Sequence, residues 1–312
     1  MNEMHLYKVI ESEKINKLVC QFSLKVIDEC ERQYSQKLNN IVQTIKNSPE
    51  SYKVLLLAGP SSSGKTTTAQ NLRDGLRAEG IGAWSISLDD FFKDQENIKI
   101  KDGELDYESL DALDLDLIHK CLDQLIRTSE SEFPVFDFIN NKRSIFKRIL
   151  KTNNSDIVIL EGLHALNPKL LLPSYSKKCL RVYISVSTSF VSNNKTIITT
   201  KDLRLIRRII RDYKFRNTHP YETLKMWSNV CAGEIKYIEP FKESAQIFID
   251  SCITYEPCIF HKYLDNIIQE LDKTNIYYNQ ILKIYNKLLY FNKLDSSVIP
   301  PNSILREFVG PT

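Results

Sequence analysis

The segment Gly59-Pro60-Ser61-Ser62-Ser63-Gly64-Lys65-Thr66-Thr67 constrains this chain more than any other. It satisfies the spacing G-x-x-x-x-G-K-[ST] and lies between an apolar run at 53–58 and a segment whose apolar residues repeat with a helical period. A strand that breaks into a glycine loop and re-enters as a helix aims backbone N–H groups, and the positive end of the helix, at one point. That arrangement suits a polyphosphate. Gly64 lets the backbone pass close to the anion, Lys65 reaches β- and γ-phosphate oxygens, and the Thr66 hydroxyl is suited to ligate Mg²⁺. Residues 59 to 67 are therefore the expected nucleotide-binding loop.

Four more short apolar runs, at 83–88, 156–160, 180–186 and 246–249, alternate with helical-period segments. Continuous apolar runs of this length fit strands buried on both faces of a parallel sheet. The expected fold is thus α/β, a P-loop NTPase architecture with a mostly parallel five-stranded sheet flanked by helices. Apolar positions from 15 to 45 step by three and four, which predicts an amphipathic helix ending near 47–49. After Pro257 a helical pattern returns, through Leu264, Ile268, Ile281 and Leu288. The 312 residues then divide into a helical N-terminal extension (1–50), a P-loop core (51–256) and a C-terminal helical appendage with a tail (257–312). The double proline at 300–301 predicts an extended strap over 299–308. The Ser/Thr/Asn-rich stretch 185–200 reads as a mobile loop.

Lys and Arg number 42 against 39 Asp and Glu, a net charge of +3, which argues against a polybasic surface for nucleic acid. The seven cysteines are scattered without a CxxC pair and read as reduced thiols. Cys252, Cys258 and His261 make an irregular C-x5-C-x2-H group with no evident fourth ligand, so zinc is not expected. No apolar stretch reaches the roughly 18 residues of a membrane span, and the first residues lack the apolar core of a signal peptide. A cytoplasmic protein is the expectation, and the helical ends offer surface for a homo-oligomer.

The run at 83–88 ends in Asp89-Asp90, and the run at 156–160 ends in Glu161. In an open parallel sheet the ligand crevice lies beyond the carboxyl ends of the strands, which brings these acids to the phosphate loop. A kinase needs one carboxylate to take the acceptor proton and others to help hold Mg²⁺. Asp89 is the expected base, and Thr66, Asp89 and Glu161 are the expected metal-side residues. Asp90 could equally cap the next helix. Arg204, Arg207, Arg208 and Arg211 fall at helical spacing opposite Leu and Ile, which reads as a helix with one packed and one cationic face, a lid that clamps a triphosphate. No glycine has an Asp three residues before it, and Asn194-Lys195-Thr196-Ile197 lacks a final Asp, so the guanine-nucleotide signatures are missing and ATP is the expected nucleotide.

Taken in order, GPSSSGKTT, SLDDFF (87–92), FPVFDF (133–138) with ILEG (159–162), and RLIRRIIRD (204–212) resemble the uridine kinase and phosphoribulokinase family of P-loop kinases. The acidic segment 105–111 and the ending IPPNSILREF are similar to the longer bacterial uridine kinase-like proteins, whose kinase follows a segment similar to threonyl-tRNA synthetase. The chain would then be a short form or a fragment. The resemblance implies ATP- and Mg²⁺-dependent phosphorylation of a nucleoside 5′-hydroxyl, with uridine or cytidine as acceptor. It implies Asp89 as base, Asp106 on the ribose, Arg208 toward the substrate, and Arg211 and Arg216 over ATP, with Lys65, Arg208 and Arg211 joining Asp89 in catalysis. Phe136, Asn141 and Arg143 fall in the loop that faces the pyrimidine. There the chain departs from the pattern. Phe136 lacks a tyrosine hydroxyl, Asn141 stands where a His is usual, and Thr218 stands where shorter kinases tend to have Arg. Two rival functions are a kinase for another small alcohol, of sugar-phosphate or pantothenate type, and a nucleotide-binding regulatory or RNA-associated module without turnover.

Overall fold

Apolar residues on both sides of a strand bury both of its faces, and Val54–Ala58 does this at every position. In the computed structural model, which describes residues 7–48, 50–101, 104–137, 140–153, 155–170 and 177–311, this run is the central strand of a five-stranded sheet. We label β1 as Lys8–Glu11, β2 as Val54–Ala58, β3 as Ala83–Ser87, β4 as Ile157–Glu161, β5 as Cys179–Ser185, β6 as Thr188–Ser192, β7 as Lys195–Ile198 and β8 as Ile247–Asp250. The main sheet runs β8-β5-β2-β4-β3, and every pairing in it is parallel. All five apolar runs become strands within a residue or two of their expected bounds. β2 has β4 on one side and β5 on the other, so the strand order reverses there and the crevice opens at the end of β2.

Helices α1 (Ser12–Lys46), α2 (Lys65–Ala78), α3 (Leu115–Thr128), α4 (Thr200–Phe215), α5 (Pro220–Tyr237), α6 (Glu256–Glu270) and α7 (Tyr278–Leu288) cover the sheet. Leu55 and Leu57 point into one apolar layer with α1, α2, α4 and α6, whereas Val54, Leu56 and Ala58 point into another with α3. The α1 stripe is realised: Ile15, Val19, Ile27, Tyr34, Leu38, Ile41, Val42 and Ile45 are buried, and α1 packs along α2. Pro49, at the expected end of this helix, and Phe138 of the FPVFDF segment lie outside the described residues. No helix among the described residues is long and apolar enough to cross a membrane.

Two expectations are corrected. The stretch 185–200 is a structured hairpin rather than a mobile loop. β6 and β7 pair antiparallel through Asn193 and Asn194, both left-handed (φ 49° and 61°), and β1 adds to β6 in parallel. Asparagine tolerates that conformation, and two such residues in succession form the turn that suits strand twist. The tail is not an extended strap either. After the prolines it coils through turns into the short helix Arg306–Val309, with Ile304, Leu305, Phe308 and Val309 buried. Proline restricts itself and the residues before it but not those that follow, and four apolar residues behind it supply the reason to fold back.

Candidate active site

The nucleotide loop is shaped by close packing at its start and a reversed backbone at its end. A Cβ on Gly59 would lie 2.1 Å from the Ile184 carbonyl oxygen of β5, so only glycine lets the loop leave the sheet there. Ser62 (φ 58°) and Gly64 (φ 87°) both adopt the left-handed region that turns the chain into α2. Lys65 Nζ donates to the Pro60 carbonyl at 3.1 Å and spans the loop. The Ser62 and Ser63 hydroxyls are buried without a partner among the described residues. Unpaired polar atoms of this kind are costly unless an anion or water satisfies them.

Thr66 Oγ1 donates to Glu161 Oε1 at 3.0 Å. Glu161 ends β4 in register with Ser87 of β3 and Leu57 of β2, so the sheet itself sets this carboxylate beside the loop. Burial, and then the charge of Asp89, push Glu161 up to about 7. Asp89 follows β3 in the helical turn Leu88–Phe91, and its own N–H is capped by the Ser87 hydroxyl. Two neighbouring carboxylates that repel each other beside a threonine hydroxyl form a hard oxygen donor set that suits Mg²⁺. Asp90 does not cap a helix. It accepts the Phe136 amide at 3.2 Å and lies 3.9 Å from Arg148, holding the 133–137 segment against the end of β3.

The acceptor-side candidates separate into two groups. Asp106 accepts the Ser109 amide at 3.1 Å, and its charge reaches Glu108 and His164, which lie in the same field as Asp89. Phe136 is buried and meets Phe92 edge-on at 5.7 Å, and Phe92 in turn meets Tyr107 at 5.3 Å. Asn141 is exposed on a turn (φ 50°). Arg143 donates to the Phe92 carbonyl at 3.0 Å and to Asp114 at 2.8 Å, so its guanidinium ties the loop to the N-terminus of α3.

The arginine helix is not one exposed cationic face. Arg204 is buried against Glu234 at 2.5 Å. Arg207 is wholly buried on Glu256 and donates to the Ser62 carbonyl at 3.2 Å. Arg208 Nη1 donates to Ser61 Oγ at 2.7 Å. Arg208, Arg211 and Arg216 all approach the single carboxylate of Asp212, at 3.2, 2.7 and 3.7 Å. Burial and mutual repulsion lower Arg208, and the same causes bring Arg216 down to about 10. Three guanidiniums beside one carboxylate leave excess positive charge next to the loop, which polyphosphate would neutralise.

Four residues of interest escape a reading of the sequence. Asp212 is the hub just described. Tyr107 carries a buried hydroxyl without a partner among the described residues. Glu108 packs against Gly233 of α5 and is pushed up to about 7 by burial, in the field of Arg208, Lys65, Asp89 and Asp106. Its place two residues after Asp106 was a signal, though a weak one. Glu307 accepts the Thr67 amide at 3.2 Å from 240 residues away, and the ending IPPNSILREF in which it lies gives no link to the phosphate loop.

A family model described as the phosphoribulokinase / uridine kinase family matches residues 54–256. A uridine kinase of Staphylococcus haemolyticus is 29% identical over 198 residues, covering 63% of this chain and 86% of that protein. A uridine kinase of Lactobacillus johnsonii is also 29% identical over 198 residues, covering 63% of this chain and 85% of its own length. Among solved structures, one described as a possible uridine kinase from Bacillus stearothermophilus is similar at 21% identity and a TM-score of 0.48, over 69% of this chain and 98% of that one.

Proposed function

Since the chain belongs to the phosphoribulokinase / uridine kinase family, a family of phosphotransferases, we propose that it transfers the γ-phosphoryl group of ATP to the 5′-hydroxyl of a nucleoside, uridine or cytidine. The observation that carries this reading is the meeting of the phosphate loop, Asp89, Glu161 and the Arg208–Arg211–Arg216 cluster at the end of β2. Loop amides and Lys65 hold the β- and γ-phosphates. Asp89 takes the acceptor's proton as its oxygen bonds to the γ-phosphorus and the bond to the β-phosphate's bridging oxygen breaks, leaving ADP. Arg208 and Arg211 stabilise the charge that spreads over the transferring group, and Arg216 covers the nucleotide. Thr66, Glu161 and Asp89 would hold Mg²⁺, which supplies further neutralisation of phosphate charge when bound. In this reading Asp106 and Phe136 face the acceptor, with Asn141 and Arg143 at its edge. The reading implies a cytoplasmic enzyme of pyrimidine salvage.

One observation favours a second reading, a kinase for a different small alcohol: Arg143 is engaged by Asp114 and the Phe92 carbonyl, and Asn141 is exposed on a turn, so neither base-facing position is held in place to read a pyrimidine edge in this arrangement. ADP formation measured against a panel of nucleosides and other alcohols, with the phosphorylated position read by NMR, separates the two. Lys65→Ala should abolish acceptor-dependent ADP formation. Asp89→Asn should lower turnover by roughly 10²- to 10⁴-fold while ATP still binds, because it removes the proton acceptor and leaves the loop intact. An Asp89→Asn enzyme of full activity would move the base to another carboxylate.

A further inference from the structure

The C-terminal tail reaches the nucleotide loop at two points. Ile304 packs against Gly64, where an added Cβ would lie 2.1 Å from its Cδ1. Glu307 accepts the backbone N–H of Thr67 at 3.2 Å. That N–H belongs to the first turn of α2, whose amides have no partner within the helix and whose N-cap, Gly64, supplies no side chain. The first-turn amides of a helix that follows a phosphate loop are its anion-binding groups. A carboxylate from the tail therefore holds a donor that phosphate oxygens would use. Its charge is also felt beyond the contact, since it adds to the burial and the Asp89 charge that raise Glu161.

We propose that Glu307 is a built-in competitor for the nucleotide, an autoinhibitory carboxylate that must leave the Thr67 amide before the triphosphate seats fully. This rests on the ATP-binding reading of the loop. The device is local. Ile304, Leu305 and Phe308 have no exposed surface, so the tail backbone stays docked. Glu307 itself is only partly buried, which leaves its side chain room to swing away. Two like charges on one helix terminus repel, so triphosphate and carboxylate exclude each other. Nucleotide affinity is thereby held below what the loop alone would give, as expected when the binding-competent arrangement is only a fraction of the population.

The test is titration calorimetry of ATP with Mg²⁺ on the 312-residue chain, its Glu307→Ala variant and its Glu307→Gln variant, with thermal melts as a control for folding. Glu307→Ala should bind ATP roughly three- to tenfold more tightly, and Glu307→Gln, which keeps an acceptor without the charge, should fall between. Unchanged or weaker binding in Glu307→Ala, with ATP still bound by the parent chain, overturns the proposal and leaves the loop's assignment standing. If neither the parent nor the variants bind ATP, the assignment of the loop fails and the proposal fails with it. Should Glu307→Ala unfold, the Glu307→Gln titration decides alone, since that side chain has the same shape.

Discussion

The guanidinium of Arg207 lies wholly inside the protein, forked onto the Glu256 carboxylate through Nε at 2.7 Å and Nη2 at 2.9 Å. Its remaining donors reach Ser251 and the Ser62 carbonyl, and its face lies 4.8 Å from the Phe308 ring. One side chain thus joins the phosphate loop to α4, α6, the end of β8 and the tail. The fork geometry requires arginine, because lysine offers a point charge in place of parallel donors.

Breaking this pair leaves a buried charge without its partner, which costs about 3–5 kcal/mol. Glu256→Gln and Arg207→Met should each lower the unfolding free energy obtained from urea titration by that order, and Arg207→Met should also weaken ATP binding, since the Ser62 carbonyl loses its anchor. The double change Arg207→Met with Glu256→Leu should cost less than either single change, because two apolar groups leave no orphan charge. Equal losses in all three would mean that the site tolerates an unpaired ion, contrary to its burial.

The Tyr107 hydroxyl is buried without a partner among the described residues, while its ring meets Phe92 at 5.3 Å. An unsatisfied buried hydroxyl carries its desolvation cost with no hydrogen bond in return. Tyr107→Phe keeps the edge-on ring contact and removes that cost, so stability should rise by about 1 kcal/mol, read from denaturant midpoints. A loss of stability would reveal a hydrogen bond that the hydroxyl makes in solution.

How much of this was open to a reader of the sequence depends on range. The strands, the α1 stripe and the loop are local patterns, and a continuous apolar run or a three-and-four spacing carries them unaided. The hairpin at Asn193-Asn194 was also local, but its polar composition masked Phe190, Val191 and Ile198, which are buried. The arginine helix was legible as a helix and not as a site. Whether Arg204 or Arg208 faces the loop depends on Glu234 and Ser61, which lie far off in sequence. Glu307 is the extreme case, since nothing near it in the chain signals the Thr67 amide. Charged residues at helical spacing have no fixed destination until their partners are known.

Gly64 is held by backbone and neighbour together. At φ 87° an L-residue loses roughly 1–2 kcal/mol, and a Cβ would also strike Ile304 Cδ1 at 2.1 Å and Cγ1 at 2.6 Å. Ile304 has no exposed surface to move into, so overpacking adds about 1–3 kcal/mol. Gly64→Ala should therefore destabilise by several kcal/mol and abolish ATP binding. Combined with Ile304→Ala, the stability loss should be smaller than the sum of the two single losses, because the removed methyl groups make room for the new one. Strict additivity would show that the strain lies in the backbone alone.

Glu108 gives the stability a direction in pH. Burial pushes its carboxyl up to about 7, net of the attraction of Arg208 and Lys65 and the repulsion of Asp89 and Asp106. In the unfolded chain the group titrates near 4.5, so between these values the folded state binds the extra proton. Its contribution to stability is therefore present at low pH and is lost as pH rises toward 7 and beyond. Glu108→Gln removes the ionisation. It should leave stability nearly unchanged at about pH 4 and raise it at about pH 8 by on the order of 1–3 kcal/mol, since a tenfold change in proton affinity corresponds to about 1.36 kcal/mol. Denaturant unfolding of both chains under the two conditions measures the difference. An equal gain in acid and in base would mean that the neutral amide simply packs better than the carboxyl. A loss confined to the alkaline condition would mean that Arg208 holds the ionised carboxylate more strongly than burial opposes it.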